Sequence, residues 1–180
     1  MHGFIYVEFE KFALSQVSFQ VWDEVLADNK LEQRQYNPTT LYPDSEIKAL
    51  LRSVANRTGS SQEKLLEEFG IFIVPDLMKV YRAYIQPEWR TLDLLEHAEK
   101  TIHVSVRKST AGAAPPILDV VRLRHNEILI NYVSGRKMVE LGVGLIKGLA
   151  QYYHEADNIT VELEKNETEG SSKIVVRQLF

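Results

Sequence analysis

The sequence predicts an α+β fold: an N-terminal helical lobe, then a C-terminal lobe of antiparallel sheet with a long helix. Three observations carry that expectation. Apolar residues recur at helical spacing as far as about Arg107. After Lys108 the period changes to alternation. Helical spacing then returns over residues 138–153 before alternation resumes at Ile159. The 180 residues suit a single domain with two lobes, spanning about 1–60 and about 61–180.

Each element has its own signal. A first helix reaches about Val17. Ser18 is placed to cap a second, whose apolar face is Val21, Trp22, Val25 and Leu26. Pro43-Asp44-Ser45 starts a third, with Ile47, Leu50, Leu51 and Val54 at helical spacing and Gly59 past its end. Ser60 with Glu63 reads as a capping box for a helix through Leu65, Leu66 and Phe69. Pro75 is expected to break that helix, and a further one carries Leu77, Val80, Tyr81 and Tyr84. A longer helix spans about 88–107. Residues 109–116 form a small-residue loop ending in Pro115-Pro116. Strands follow over 117–123 and 128–132, then the 138–153 helix. Ile159, Val161 and Leu163 alternate with polar residues, and a run at 174–176 completes a hairpin across a turn at Gly170.

Composition excludes several functions. Hydrophobic residues make up 44% and charged residues 26%, and the net charge is −4, so no nucleic-acid partner is expected. Arg122, Arg124, Arg136 and Lys137 are a local basic exception. The absence of cysteine removes disulfides, thiolate metal sites and thioether attachment of a cofactor. The first residues lack a basic start, and Glu8, Glu10 and Lys11 interrupt their apolar run, unlike a signal peptide. No apolar stretch approaches the roughly 20 residues of a membrane span. The expected location is cytoplasmic, with no membrane partner.

Four features bear chemistry. On an extended strand Tyr132, Ser134 and Arg136 share the face begun by Ile128 and Ile130. An apolar face ending in a phenol, a hydroxyl and a guanidinium suits a flat, greasy ligand with a carboxylate edge, such as haem; it equally describes a strand whose polar end is solvated. His103 lies late on the long helix beside Leu92, Leu95, Ile102 and Val106, as an iron ligand or as a plain flank histidine, with His97 its rival. Pro115-Pro116 makes a rigid corner that presses on a ligand or simply starts a strand. Gly142, Gly144 and Gly148 interrupt a helix at about 1 kcal/mol each, for close approach of a ligand or for close helix–sheet packing.

In their order and spacing these features resemble the bacterial stand-alone H-NOX (haem nitric oxide/oxygen-binding) family, related to the haem domain of soluble guanylate cyclase. The start Met1-x-Gly3-x-Ile5, the segment Ile102-His103-x-x-Val106-x-Lys108, the pair Pro115-Pro116, the run Tyr132-x-Ser134-x-Arg136 and Gly144-Leu145-Ile146-x-Gly148 carry the resemblance across nearly the whole chain. It selects His103 over His97.

The resemblance implies a non-covalent haem b buried between the lobes. His103 is then the axial iron ligand, with Tyr132, Ser134 and Arg136 on the propionates and Pro116 against the porphyrin. It implies Ile5, Phe9, Ile73, Leu77, Leu141 and Leu145 as the distal pocket. Oxygen-binding relatives carry a distal tyrosine where this chain has Leu141, so the expected ligands are nitric oxide and CO, with oxygen excluded. Some relatives carry a zinc-binding cysteine cluster that this chain lacks. The implied protein is no enzyme but a sensor. Breakage of the iron–histidine bond shifts the lobes and signals in trans to a histidine kinase or a cyclic-di-GMP enzyme. The other reading is a haem-free H-NOX-like module for protein interaction or lipophilic-ligand binding.

Overall fold

The computed structural model describes residues 1–166 and 171–179. Four helices come first: α1 (Gly3–Gln16), α2 (Phe19–Asp28), α3 (Asp44–Thr58) and α4 (Gln62–Val80). Ser18 caps α2, its hydroxyl accepting from Val21 N at 3.3 Å. Gly59, at φ 69°, closes α3 in the left-handed conformation that glycine adopts without strain.

Two expectations fail here. The cap of α4 is Ser61, which accepts from Lys64 N at 3.1 Å, and not Ser60. The Ser60 N–H is turned back to Thr58 Oγ1 as α3 ends, so the next helix starts one residue later. Nor does Pro75 break α4, which runs through it. An interior proline costs about 3 kcal/mol or more. Burial of its neighbours Ile73, Val74 and Met78 offsets that cost.

After a short 3₁₀ turn (Arg82–Tyr84) one continuous helix forms from α5 (Thr91–Ala98), a π-helical turn (Glu99–His103) and α6 (Val104–Ser109). Then come β1 (Ile117–Arg124), β2 (Glu127–Val133), α7 (Val139–Tyr152), β3 (Ile159–Asn166) and β4 (Ser171–Gln178). The sheet is antiparallel in the order β1-β2-β4-β3, with Tyr132 between Leu118 and Ser172. The expected turn at Gly170 lies outside the described residues. Among the described residues no helix is long and apolar enough to cross a membrane.

The buried residues fall into two main cores. One joins α1–α4 through aromatic rings, with Phe9 and Phe69 edge to face at 5.3 Å. The other joins the inner sheet face (Ile128, Ile130, Ile174, Val176) to Val143 and Ile146 of α7 and Leu92 and Leu95 of α5. Helices α4 and α7 cross closely between them. A Cβ on Gly144 would overlap the Glu67 carbonyl, and one on Gly70 would lie 2.5 Å from the Leu141 carbonyl oxygen. Two of the three α7 glycines therefore serve helix–helix crossing, Gly148 against Ile71 and Val74, while Gly142 faces the Tyr132 ring. The helix–sheet packing expected for them is found only at Gly142.

Candidate haem site

Between the cores lies a cavity of about 290 Å³, at the small end of the roughly 300–1,000 Å³ typical of ligand sites. Its wall is overwhelmingly apolar. Ile5 comes from α1, Leu77 from α4, and Leu141 and Leu145 from α7. Pro116, at the entry to β1, lies against it, with Ile102 and Val106 beside His103.

Three polar side chains reach the cavity from the end of β2. Tyr132 and Ser134 are buried, and burial raises the Tyr132 phenol above its usual range, with a Ser134 hydrogen bond pulling it back. The Ser134 hydroxyl accepts from Arg136 N at 3.3 Å. Arg136 donates through Nη1 to the Ala114 carbonyl. Its Nε lies 2.9 Å from Asp44 Oδ2, but the N–H is not aimed at that oxygen, leaving a buried donor without a hydrogen bond. Asp44 in turn takes the Met1 ammonium at 2.6 Å. Burial alone would raise the Asp44 carboxyl; the bond from the N-terminus and the positive charge of Arg136 outweigh it and hold the carboxyl below its usual range.

His103 supplies the opposite feature. Burial lowers its imidazole to about 4, with the Pro116 carbonyl offsetting part of that. The ring is therefore neutral at physiological pH. Nδ1 faces Glu99 Oε2 at 3.0 Å, and Nε2 has no hydrogen-bond partner among the described residues. His97 is placed elsewhere, stacked on Trp89 at 4.5 Å with Nδ1 2.8 Å from the Asp93 carbonyl oxygen.

A family model described as Haem-NO-binding matches residues 2–162. The chain belongs to the H-NOX family. Solved H-NOX structures share its fold. It is similar to the S. oneidensis H-NOX protein in the Fe(II)NO ligation state, 22% identical, with a TM-score of 0.90 and 99% of each chain covered. It is similar to an unliganded Fe(II) H-NOX variant from K. algicida, 24% identical, TM-score 0.89, over 99% of this chain and 96% of that one. A T. Tengcongensis H-NOX variant is 24% identical, TM-score 0.83, over 98% and 96%. No curated protein sequence matches.

The residues of this H-NOX chain fit a haem. The cavity is apolar, an arginine whose Nε–H makes no hydrogen bond sits at one edge, and a neutral imidazole with a bare nitrogen lines the wall. Two expected wall residues are placed elsewhere in this structure. Phe9 and Ile73 do not line the cavity but are fully buried in the helical core. On α4 the cavity face is Val74, Leu77, Met78 and Tyr81, and Ile73 points with Phe69 into the core instead. On α1 only the first turn, with Phe4 and Ile5, meets the cavity. Sequence reasoning missed His2 and Tyr81, which also line it. Tyr81 was findable, since Val74, Leu77, Met78 and Tyr81 keep i, i+3, i+4, i+7 spacing. His2 carries no such signal; it caps α1, with Nδ1 accepting from Phe4 N at 3.4 Å.

Proposed function

We propose that this H-NOX chain is a cytoplasmic haem-based sensor of nitric oxide and CO that excludes oxygen. The observation that carries this is the pairing of His103, with one bare ring nitrogen, and the Tyr132, Ser134 and Arg136 cluster on one apolar cavity. His103 would hold the iron, Tyr132, Ser134 and Arg136 the propionates of a non-covalent haem b, and Pro116, Ile5, Leu77, Leu141 and Leu145 would pack on the ring. Ferrous haem, when bound, would supply the iron that takes up a diatomic ligand.

The chain's own residues set selectivity and output. Ile5, Leu77, Leu141 and Leu145 bring aliphatic surface and no donor, which disfavours oxygen more than nitric oxide. Loss of His103 as a ligand would free the Thr91–Ser109 helix. Residues of about 1–60 and about 61–180 would then shift as two lobes. The readout would pass to a partner signalling enzyme, a histidine kinase or a cyclic-di-GMP enzyme, as the family resemblance suggests.

The test is the absorption spectrum of the ferrous protein before and after nitric oxide. The expected result is a Soret band that shifts on addition of nitric oxide, and a His103→Gly variant that binds iron axially only when imidazole is supplied. A chain that takes up no haem when haem is abundant, or a His103→Gly variant with the parent spectrum, would refute the proposal.

A further inference from the structure

The π-helical turn that ends at His103 begins at Glu99, with the Val104 N–H donating to the Glu99 carbonyl five residues back. π-Turns within helices are rare and are concentrated at functional sites. The Glu99 side chain is held from three directions. Leu118 N of β1 donates to Oε2 at 3.1 Å, Arg107 of α6 donates to Oε1, and His103 Nδ1 stands 3.0 Å from Oε2. A main-chain N–H and a guanidinium together fix the carboxylate in place. It offers the imidazole a charged acceptor, where a carbonyl would offer only a neutral one. The Pro116 carbonyl also approaches the ring, and His103 lines the cavity.

We infer that Glu99 is a positioning residue for His103: its carboxylate takes the Nδ1 proton, fixes the tautomer that leaves Nε2 bare, and makes the imidazole a stronger donor to iron. The last part rests on the haem reading proposed above; the tautomer does not. Partners of this kind orient metal-bound histidines and raise their basicity, and their loss typically weakens metal binding by about 10–100-fold. Here the carboxylate would strengthen the hold of His103 on the iron.

The experiment uses Glu99→Gln, which keeps an acceptor but removes the charge, and Glu99→Leu, which removes both. Nitrogen NMR of the full chain freed of haem reads the His103 tautomer, and the diamagnetic ferrous–CO form gives the same reading if the haem-free chain is poorly folded. Resonance Raman of the ferrous protein reads the iron–histidine stretch. Nδ1–H is expected in the parent, with loss of that preference in Glu99→Leu. The stretch is expected to fall in both variants, with haem lost about 10–100-fold faster. An unchanged tautomer in Glu99→Leu, or an unchanged stretch in both variants, overturns the inference. If no variant and no parent chain binds haem, the sensor proposal fails, and the tautomer alone decides the role of Glu99.

Discussion

Acidification should destabilise the haem-free protein through His103. The imidazole sits at about 4 in the fold against 6.5 for a solvated histidine, because burial disfavours its charged form. Between those values the unfolded chain binds the extra proton and the folded chain does not, so stability falls as pH drops from 6.5 towards 4 and is fully retained above 6.5. At about 1.36 kcal/mol per pKa unit the full loss is about 3 kcal/mol. The side chain is only 19% exposed, so solvent screening removes little of this. Glu99, 3.0 Å away, favours a protonated ring and makes about 3 kcal/mol an upper bound. Urea unfolding at pH 7.5, 5.5 and 4.5, compared with His103→Leu, measures the effect. The parent should lose stability faster on acidification, with the two curves parallel above pH 7. Equal losses in both proteins would refute the reasoning, because the proton would then be taken up elsewhere.

The other predictions concern packing and ligand choice. Gly144→Ala places a methyl group on the Glu67 carbonyl and should cost about 1–3 kcal/mol by thermal unfolding, with Gly59→Asn, open to solvent, as the mild comparison. Arg136→Ala should quicken haem loss to apomyoglobin while leaving the nitrosyl spectrum unchanged, since it removes a propionate partner and not the iron ligand; unchanged retention would remove Arg136 from the site. The oxygen prediction has a specific rival in Tyr81, whose phenol burial keeps protonated. The ferrous parent should form no stable oxy spectrum in air. If it does, and Tyr81→Phe abolishes it, Tyr81 is the donor and the exclusion is wrong.

Much of the fold is legible in the sequence because its signals are local. Alternation along β2 puts Tyr132 on the face of Ile128 and Ile130, and a strand allows no other placement. Ser18 and Gly59 mark helix ends through chemistry confined to two or three residues. The failures are long-range. Pro75 is a strong local breaker, yet the cores on both sides of α4 hold it helical. Glu99 reads as a surface acid until β1 brings Leu118 N to its carboxylate.

The wall of the cavity is the hardest part to read, for a physical reason. A leucine that fills a core and a leucine that lines a cavity obey the same periodicity. Ile73 and Val74 are adjacent, equally apolar and equally buried, yet only Val74 meets the cavity. What separates them is the surface opposite, which is set by where α7 and the His103 helix pass. The polar residues escape this ambiguity, because a buried donor needs a partner. Arg136 is tied by charge to Asp44 on α3 and by a hydrogen bond to Ala114 before β1, and still has a buried Nε–H to offer. Any acid entering the cavity must share that guanidinium with Asp44, which also carries the chain's N-terminus. The polar edge of the site is thus where a bound carboxylate would be felt by both cores at once.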